Sequence, residues 1–539
     1  MTIVEVMYSQ STQKLIAQLK VSDPKIYYQS EGGAGIQVDS FVSKLAFIYE
    51  KIRTAIDYKE EHLIRKAAIF RILQRRLLIK ISTEDLGLAL IKELIRAGYL
   101  ENNLIPQSKA LEVDRLLERY LTLYNFSIVK KGTRAGNRLF KWLVEMCACE
   151  IEELLMPPLA NRALAEFMYK VMRPGVNLGD KSLSDEEKDL QVYLAVHRAL
   201  IKSDAAMIDL KLLKHFYPDW KTSAPKELMN LARKISNLKN RIEKFKKYPL
   251  AEKLTRLFKK YTFAFQILRD IILEDPAKAE EIFQDAEELA YQIQSTCDRV
   301  YKKTKIKLRR SIVRVLIYLF ITKMLLALAL EFPYDYYIAK EVMFLPLAIN
   351  ALFPVFLMFI LGVFIRIPSR KNTERVVAVA KEMVYEGGLK EIKGGSFGAK
   401  AKRSAFALTV FYLLYLILFV FSFGVLIYIL RSLQFNIFSL LIFLLFLSLV
   451  SFFGIKMRLK VRELMVIDKR ENPLVFLINL FFLPFLKAGH WLSEKFSKIN
   501  IFVFILDFII EAPFKIFLEV IEEWIAFLRE KKEEMYSKE

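Results

Sequence analysis

The residue whose position most invites chemistry is Lys323, which stands inside the otherwise apolar run Ser311 to Leu330, SIVRVLIYLFITKMLLALAL. A cation near mid-membrane costs about 2.5–3.5 kcal/mol on insertion scales, so Lys323 is expected to face a partner or a cavity. Asn350 or an acidic group would be that partner. The pair would serve either as part of a pathway or as a polar contact inside a structural bundle. Arg314, in the same run, lies within one turn of a basic cluster, and its guanidinium is expected to snorkel to headgroups.

Three further groups could carry chemistry. The loop Gly387 to Lys400, GGLKEIKGGSFGAK, offers Gly387, Gly388, Gly394, Gly395, Gly398 and Lys400 as an anion or headgroup cradle, because glycine-rich backbone can converge its amides on phosphate. It lacks the Lys-Ser or Lys-Thr pair and the preceding strand of a P-loop, so a surface loop is the plainer expectation. Asp507, Glu511, Lys515 and Glu519 recur every four residues and make one polar stripe on an amphipathic helix. Cys147 and Cys149, beside Glu145, Glu150, Glu152 and Glu153, resemble a metal set only in composition. On one helix two residues apart point roughly 160° away from each other, so core cysteines and a solvated acidic face are expected. The four histidines lie far apart, and neither a metal nor a cofactor is expected. No hydrolase or paired-carboxylate motif is present and no catalytic residue is nominated, so the balance is against an enzyme.

The elements that must position these residues follow from composition. The chain has 539 residues, a net charge of +22, 54 % hydrophobic residues and 26 % charged ones, a mixture that requires segregation. Charged residues run through the first three hundred positions and apolar blocks follow Ser311. Spans are predicted at 311–330, 342–365, 405–430 and 435–455, each long enough for a helix to cross about 30 Å of hydrocarbon. After Asn472-Pro473, Leu474 to Leu486 contains Asn479 and Pro484 and is read as a re-entrant or interfacial segment. The stretch beyond it is read as a surface helix; the alternative makes the two a fifth and a sixth span. Lys and Arg crowd the segments before the first span, between the second and third, and after the fourth, which places all three and both termini in the cytoplasm. The N-terminus shows no secretory signal.

The fold class expected is all-α: an N-terminal cytoplasmic helical domain followed by a polytopic transmembrane bundle of four to six spans. Residues 1–41 read as a flexible arm, 42–300 as a basic helical domain with a break near 130–136, 301–472 as the bundle, and 473–539 as the interfacial tail. Ser82 with Asp85 and Ser184 with Glu187 fit capping boxes, and Gly98 suits a helix end. The helix after Asp275 meets no Pro or Gly before Pro333, so it could run from the domain into the first span.

Basic stripes at Arg65, Lys66, Arg71, Arg75, Arg76 and Lys80, and again from Lys234 to Lys260, suit anionic lipid headgroups or a protein partner better than nucleic acid or ribosome. Oligomeric state is left open. The function these features favour is a membrane-anchored scaffold or adaptor. A transporter or channel component using Lys323, and a membrane enzyme acting on lipid, are the alternatives.

Overall fold

The computed structural model describes residues 8–32, 34–39, 60–79, 85–179, 183–339, 344–389, 395–397, 405–466 and 473–498, with isolated positions between 43 and 51 and between 517 and 531. The described structure is 82 % helical, and its strands are two three-residue segments, Val176–Leu178 and Gly395–Phe397, paired in parallel. The chain is therefore all-α.

Local signals explain where helices begin and end. Ser184 and Glu187 exchange side-chain and backbone hydrogen bonds at the start of Asp185–Val196, a complete capping box. Helix Leu86–Arg96 ends at Gly98, whose φ of +74° lets the chain reverse while Tyr99 N donates to Leu94 O at 2.9 Å. Ser82 lies outside the described residues.

The N-terminal half forms two cores. The first gathers apolar side chains from Tyr28 to Leu155 and from Leu190 to Phe245. Segment 130–136 does interrupt the helical pattern, with Thr133 capping Arg134–Leu155, yet the helices on both sides of it pack into this one core. Within the stretch expected as a flexible arm, Gln10–Lys20 is a helix whose Leu15, Ile16 and Leu19 are buried in the second core. Tyr28 is buried in the first, its hydroxyl donating to Leu155 O at 2.8 Å.

The second core takes side chains from Ala163 to Ile201 and from Leu250 to Tyr301. It also takes Val376, Val379, Ala380, Met383 and Val384, which follow the second apolar helix, and Val466, which follows the fourth. Asn372 fastens this joint: its amide donates to the Tyr301 hydroxyl and to Leu464 O, both at 2.8 Å, and accepts from Val466 N at 2.9 Å.

Among the described residues, five helices are long and apolar enough to cross a membrane. The first begins at Ala286, capped by Asp285, and runs to Leu326, about 60 Å at ~1.5 Å per residue. It continues through two π-helical turns to Ala339. Its start lies ten residues later than expected, because Asp275 to Lys278 and Asp285 each break the pattern. The others are Phe344–Phe364, Ala405–Ser432, Ile437–Arg462 and Pro473–Lys498. Leu474 to Leu486, expected as a re-entrant or interfacial stretch, lies within the last of these, a single continuous helix despite Pro484. That helix comes so close to its predecessor that a Cβ at Gly489 would stand 2.1 Å from Ser448 O.

Candidate functional site

At the end of the bundle away from the N-terminal domain, three polar side chains meet out of solvent. The Lys323 ammonium donates to Asn350 Oδ1 at 2.8 Å and to Glu331 Oε1 at 3.3 Å. The Asn350 amide donates to Glu331 Oε2 at 2.7 Å and to the Ser439 carbonyl at 3.2 Å, and the Phe446 ring lies 4.5 Å from the ammonium. Lys323, Glu331 and Asn350 are each 0 % exposed. One positive and one negative charge are thus joined by an amide that satisfies both.

Two backbone irregularities build this arrangement. Glu331 follows Lys323 by eight residues, which on a regular helix at about 100° per residue would set the two side chains roughly 80° apart. The π turn Ala327–Glu331 absorbs one extra residue, and Glu331 comes round to the face of Lys323. On the second helix, Pro354 has no N–H to give to the carbonyl of Asn350 four residues earlier. The sequence therefore loosens both helices where they carry polar side chains. A second contact continues the polar line: Asn436 donates to Asp335 at 2.6 Å and caps the fourth helix by accepting from Ser439 N at 2.7 Å.

Of the residues singled out in the sequence, Lys323 and Asn350 are brought together, and Glu331 joins them. Arg314 is not part of the cluster; it is exposed, and its Nε donates to Arg310 O at 3.3 Å. Gly387 ends a π turn with φ +66°, and Gly395 begins the strand paired with Val176; Gly394, Gly398 and Lys400 lie outside the described residues. Asp507, Glu511, Lys515 and Glu519 also lie outside them. Glu331 carried no sequence signal as a site residue, since it reads as the start of a connection.

The acidic group around Cys147 and Cys149 corrects an expectation. Both cysteines are core residues, and burial pushes their thiols up. Glu150 and Glu152, expected on a solvated face, are 3 % and 4 % exposed. Glu150 accepts from Tyr120 at 2.8 Å and Trp220 at 2.9 Å and pairs with Lys214 at 3.1 Å. Burial pushes the Glu152 carboxyl up to about 7 although Arg65 stands at 3.0 Å. Burial acts upward on Glu153 too, but Lys211 and Lys214 outweigh it and hold that carboxyl at about 2. Two helices cause the inversion: Ala205–Phe216 brings Lys214 to Glu150, and the first basic stripe, which turns inward, brings Arg65 to Glu152. Besides Arg65, Lys66 meets Asp204, Arg71 meets Glu50 at 3.0 Å, and Arg75 and Arg76 meet Glu93 at 2.6 and 3.4 Å. The described members of that stripe are thus paired with carboxylates of neighbouring helices, and Lys80 lies outside the described residues. The second stripe differs: Lys234, Arg241, Lys244 and Lys247 are exposed, whereas Lys246 is drawn in to Asp209 at 2.8 Å.

His197, at the start of a π turn, is buried with neither ring nitrogen hydrogen-bonded, and burial drives its pKa down to about 3, so it is a neutral core side chain. Among the described residues no three metal-ligating side chains gather. Comparison with protein-family models, with curated proteins and with solved structures finds no match in any of the three.

Proposed function

We propose that this chain is a membrane-anchored scaffold that holds a basic helical domain at the cytoplasmic face of a bilayer and presents it to a protein partner. The observation that carries the reading is the second core, which is built jointly by the N-terminal domain and by segments following the second and fourth apolar helices. A domain welded to its anchor in this way keeps one orientation to the membrane, which a presenting surface needs and a tethered catalytic domain does not. The cytoplasmic side is assigned from the Lys and Arg bias of the three segments that meet the domain. The polar cluster around Lys323 is satisfied internally, as a clamp between helices would be, and this weighs against a transport pathway.

The partner surface in this reading is the exposed face of Ile235–Lys246 and its continuation to Lys247. Crosslinking in native membranes tests it, comparing the full-length protein with a Lys234→Glu, Lys244→Glu, Lys247→Glu variant. The expected result is loss of the crosslinked protein with insertion unchanged. An identical set of crosslinked proteins from both would overturn the proposal.

A further inference from the structure

Two sets of contacts fix the levels of the joint between domain and bundle. A Cβ at Gly362 would stand 3.0 Å from Ile312, and one at Gly454 would stand 2.6 Å from Leu361, so the first, second and fourth helices share a level there. Asn372 binds both Tyr301 and Leu464, which sets a second level. From Tyr301 to Ile312 the first helix advances by eleven residues, about 16 Å at ~1.5 Å per residue.

This layer is cationic on all three helical segments. The first contributes Lys302, Lys303, Lys305, Lys307, Arg309 and Arg310. Arg366, Arg370 and Lys371 come from the segment after the second helix, and Lys456, Arg458, Lys460 and Arg462 from the end of the fourth. Each of these is exposed. A single carboxylate, Glu463, falls in the same intervals, and Lys202 binds it at 3.1 Å. On the bundle side the layer meets an exposed apolar belt that begins at Val313, Val363 and Phe453. On the other side it meets the second core at Tyr301, Val376 and Val466. From Ile312 to Glu331 the first helix runs about 29 Å, close to the ~30 Å of a hydrocarbon core. With the bundle seated in that core, the cationic layer stands at headgroup depth.

We infer that this layer is a collar for anionic lipid headgroups, encircling the joint between domain and bundle. The occupant is the lipid surface, because the charge is spread over three helical segments at one depth and adjoins the apolar belt that acyl chains would cover. A compact soluble anion would need converging donors in a pocket. The inference needs only the bundle in a bilayer, and it stands or falls apart from the scaffold reading.

The test uses the full-length protein in nanodiscs of equal parts phosphatidylcholine and phosphatidylglycerol, with the retained lipid counted by mass spectrometry after transfer to mild detergent. Phosphatidylglycerol should be enriched over the input ratio, and the enrichment should vanish in about 1 M salt, where the screening length is ~3 Å. A Lys303→Gln, Lys307→Gln, Arg310→Gln variant should lose roughly a hundredfold in affinity, at about fivefold per charge. Inorganic phosphate should leave the melting temperature unchanged. Retained lipid at the input ratio in the wild-type protein would overturn the inference, whatever the variant does. So would a rise in melting temperature with inorganic phosphate, which would mark a free-anion site.

Discussion

Lys323 carries a charge that could not stay in the bundle alone. Its neighbours Glu331 and Asn350 supply the compensating charge and hydrogen bonds, so removing one member strands the rest. Breaking a buried pair costs about 3–5 kcal/mol, whereas replacing both members with apolar or neutral groups is often close to neutral. Lys323→Met should therefore lower the melting temperature of the purified protein sharply, and Lys323→Met with Glu331→Gln should regain most of the loss. Simple additivity of the two single variants would contradict the clamp. Glu152 makes a separate prediction in the N-terminal domain. Its folded carboxyl holds a proton up to about 7 while the unfolded one releases it near 4.5. The native state then binds more protons between those values, and stability falls as pH rises through that window, by at most roughly 3 kcal/mol. Glu153, held at about 2, acts below it, and its contribution is lost as pH falls from 4.5. Melting curves against pH should show Glu152→Gln flattening only the upper window; an unchanged slope there would refute the assignment. At this scale Lys323 and Asn350 were legible because an apolar run makes any polar residue conspicuous. Glu331 was not, because an eight-residue spacing joins two side chains only if a π turn intervenes.

Helices were legible where hydropathy or capping chemistry was decisive. Four apolar helices stand close to their expected positions, and the box at Ser184 forms as its residue types require. The fifth was ambiguous for a physical reason: its window reaches a mean hydropathy of only 1.2, and Asn479 and Pro484 interrupt it. The Arg134–Leu155 helix shows a second limit. Periodicity tells which residues share a face, but Glu150 and Glu152 face inward because cations from Glu61–Ile79 and Ala205–Phe216 await them, and no local pattern records that. Close packing of helices offers a cleaner test. Gly489→Val would place a methyl-bearing carbon against the Ser448 carbonyl, a backbone atom that cannot rotate away. Overpacking of this kind costs about 1–3 kcal/mol. Gly424→Val is the control, since a Cβ there meets nothing within 4 Å. A lower melting temperature for the first and none for the second is expected; equal values would mean that the two helices do not pack as described.

The whole molecule was half legible. Segregation of charged and apolar residues gave a helical domain and a bundle, and the basic flanks pointed to one shared side, where the structure places all three in contact with the domain. What the sequence did not disclose is that the division is incomplete, since partners as distant as Tyr301 and Leu464 are joined through Asn372. Such pairings have no local signature. They do set a timetable. During synthesis the domain's second core stays open until the segment ending at Val466 has left the ribosome, 165 residues after Tyr301. At about 5–20 residues per second that interval is roughly 8–33 seconds. Throughout it, apolar side chains of the domain wait for helices that must first be threaded into the bilayer. A chain whose spans insert in the wrong order would therefore display an unfinished domain, giving chaperones and proteases in the aqueous phase a report on an error made in the lipid.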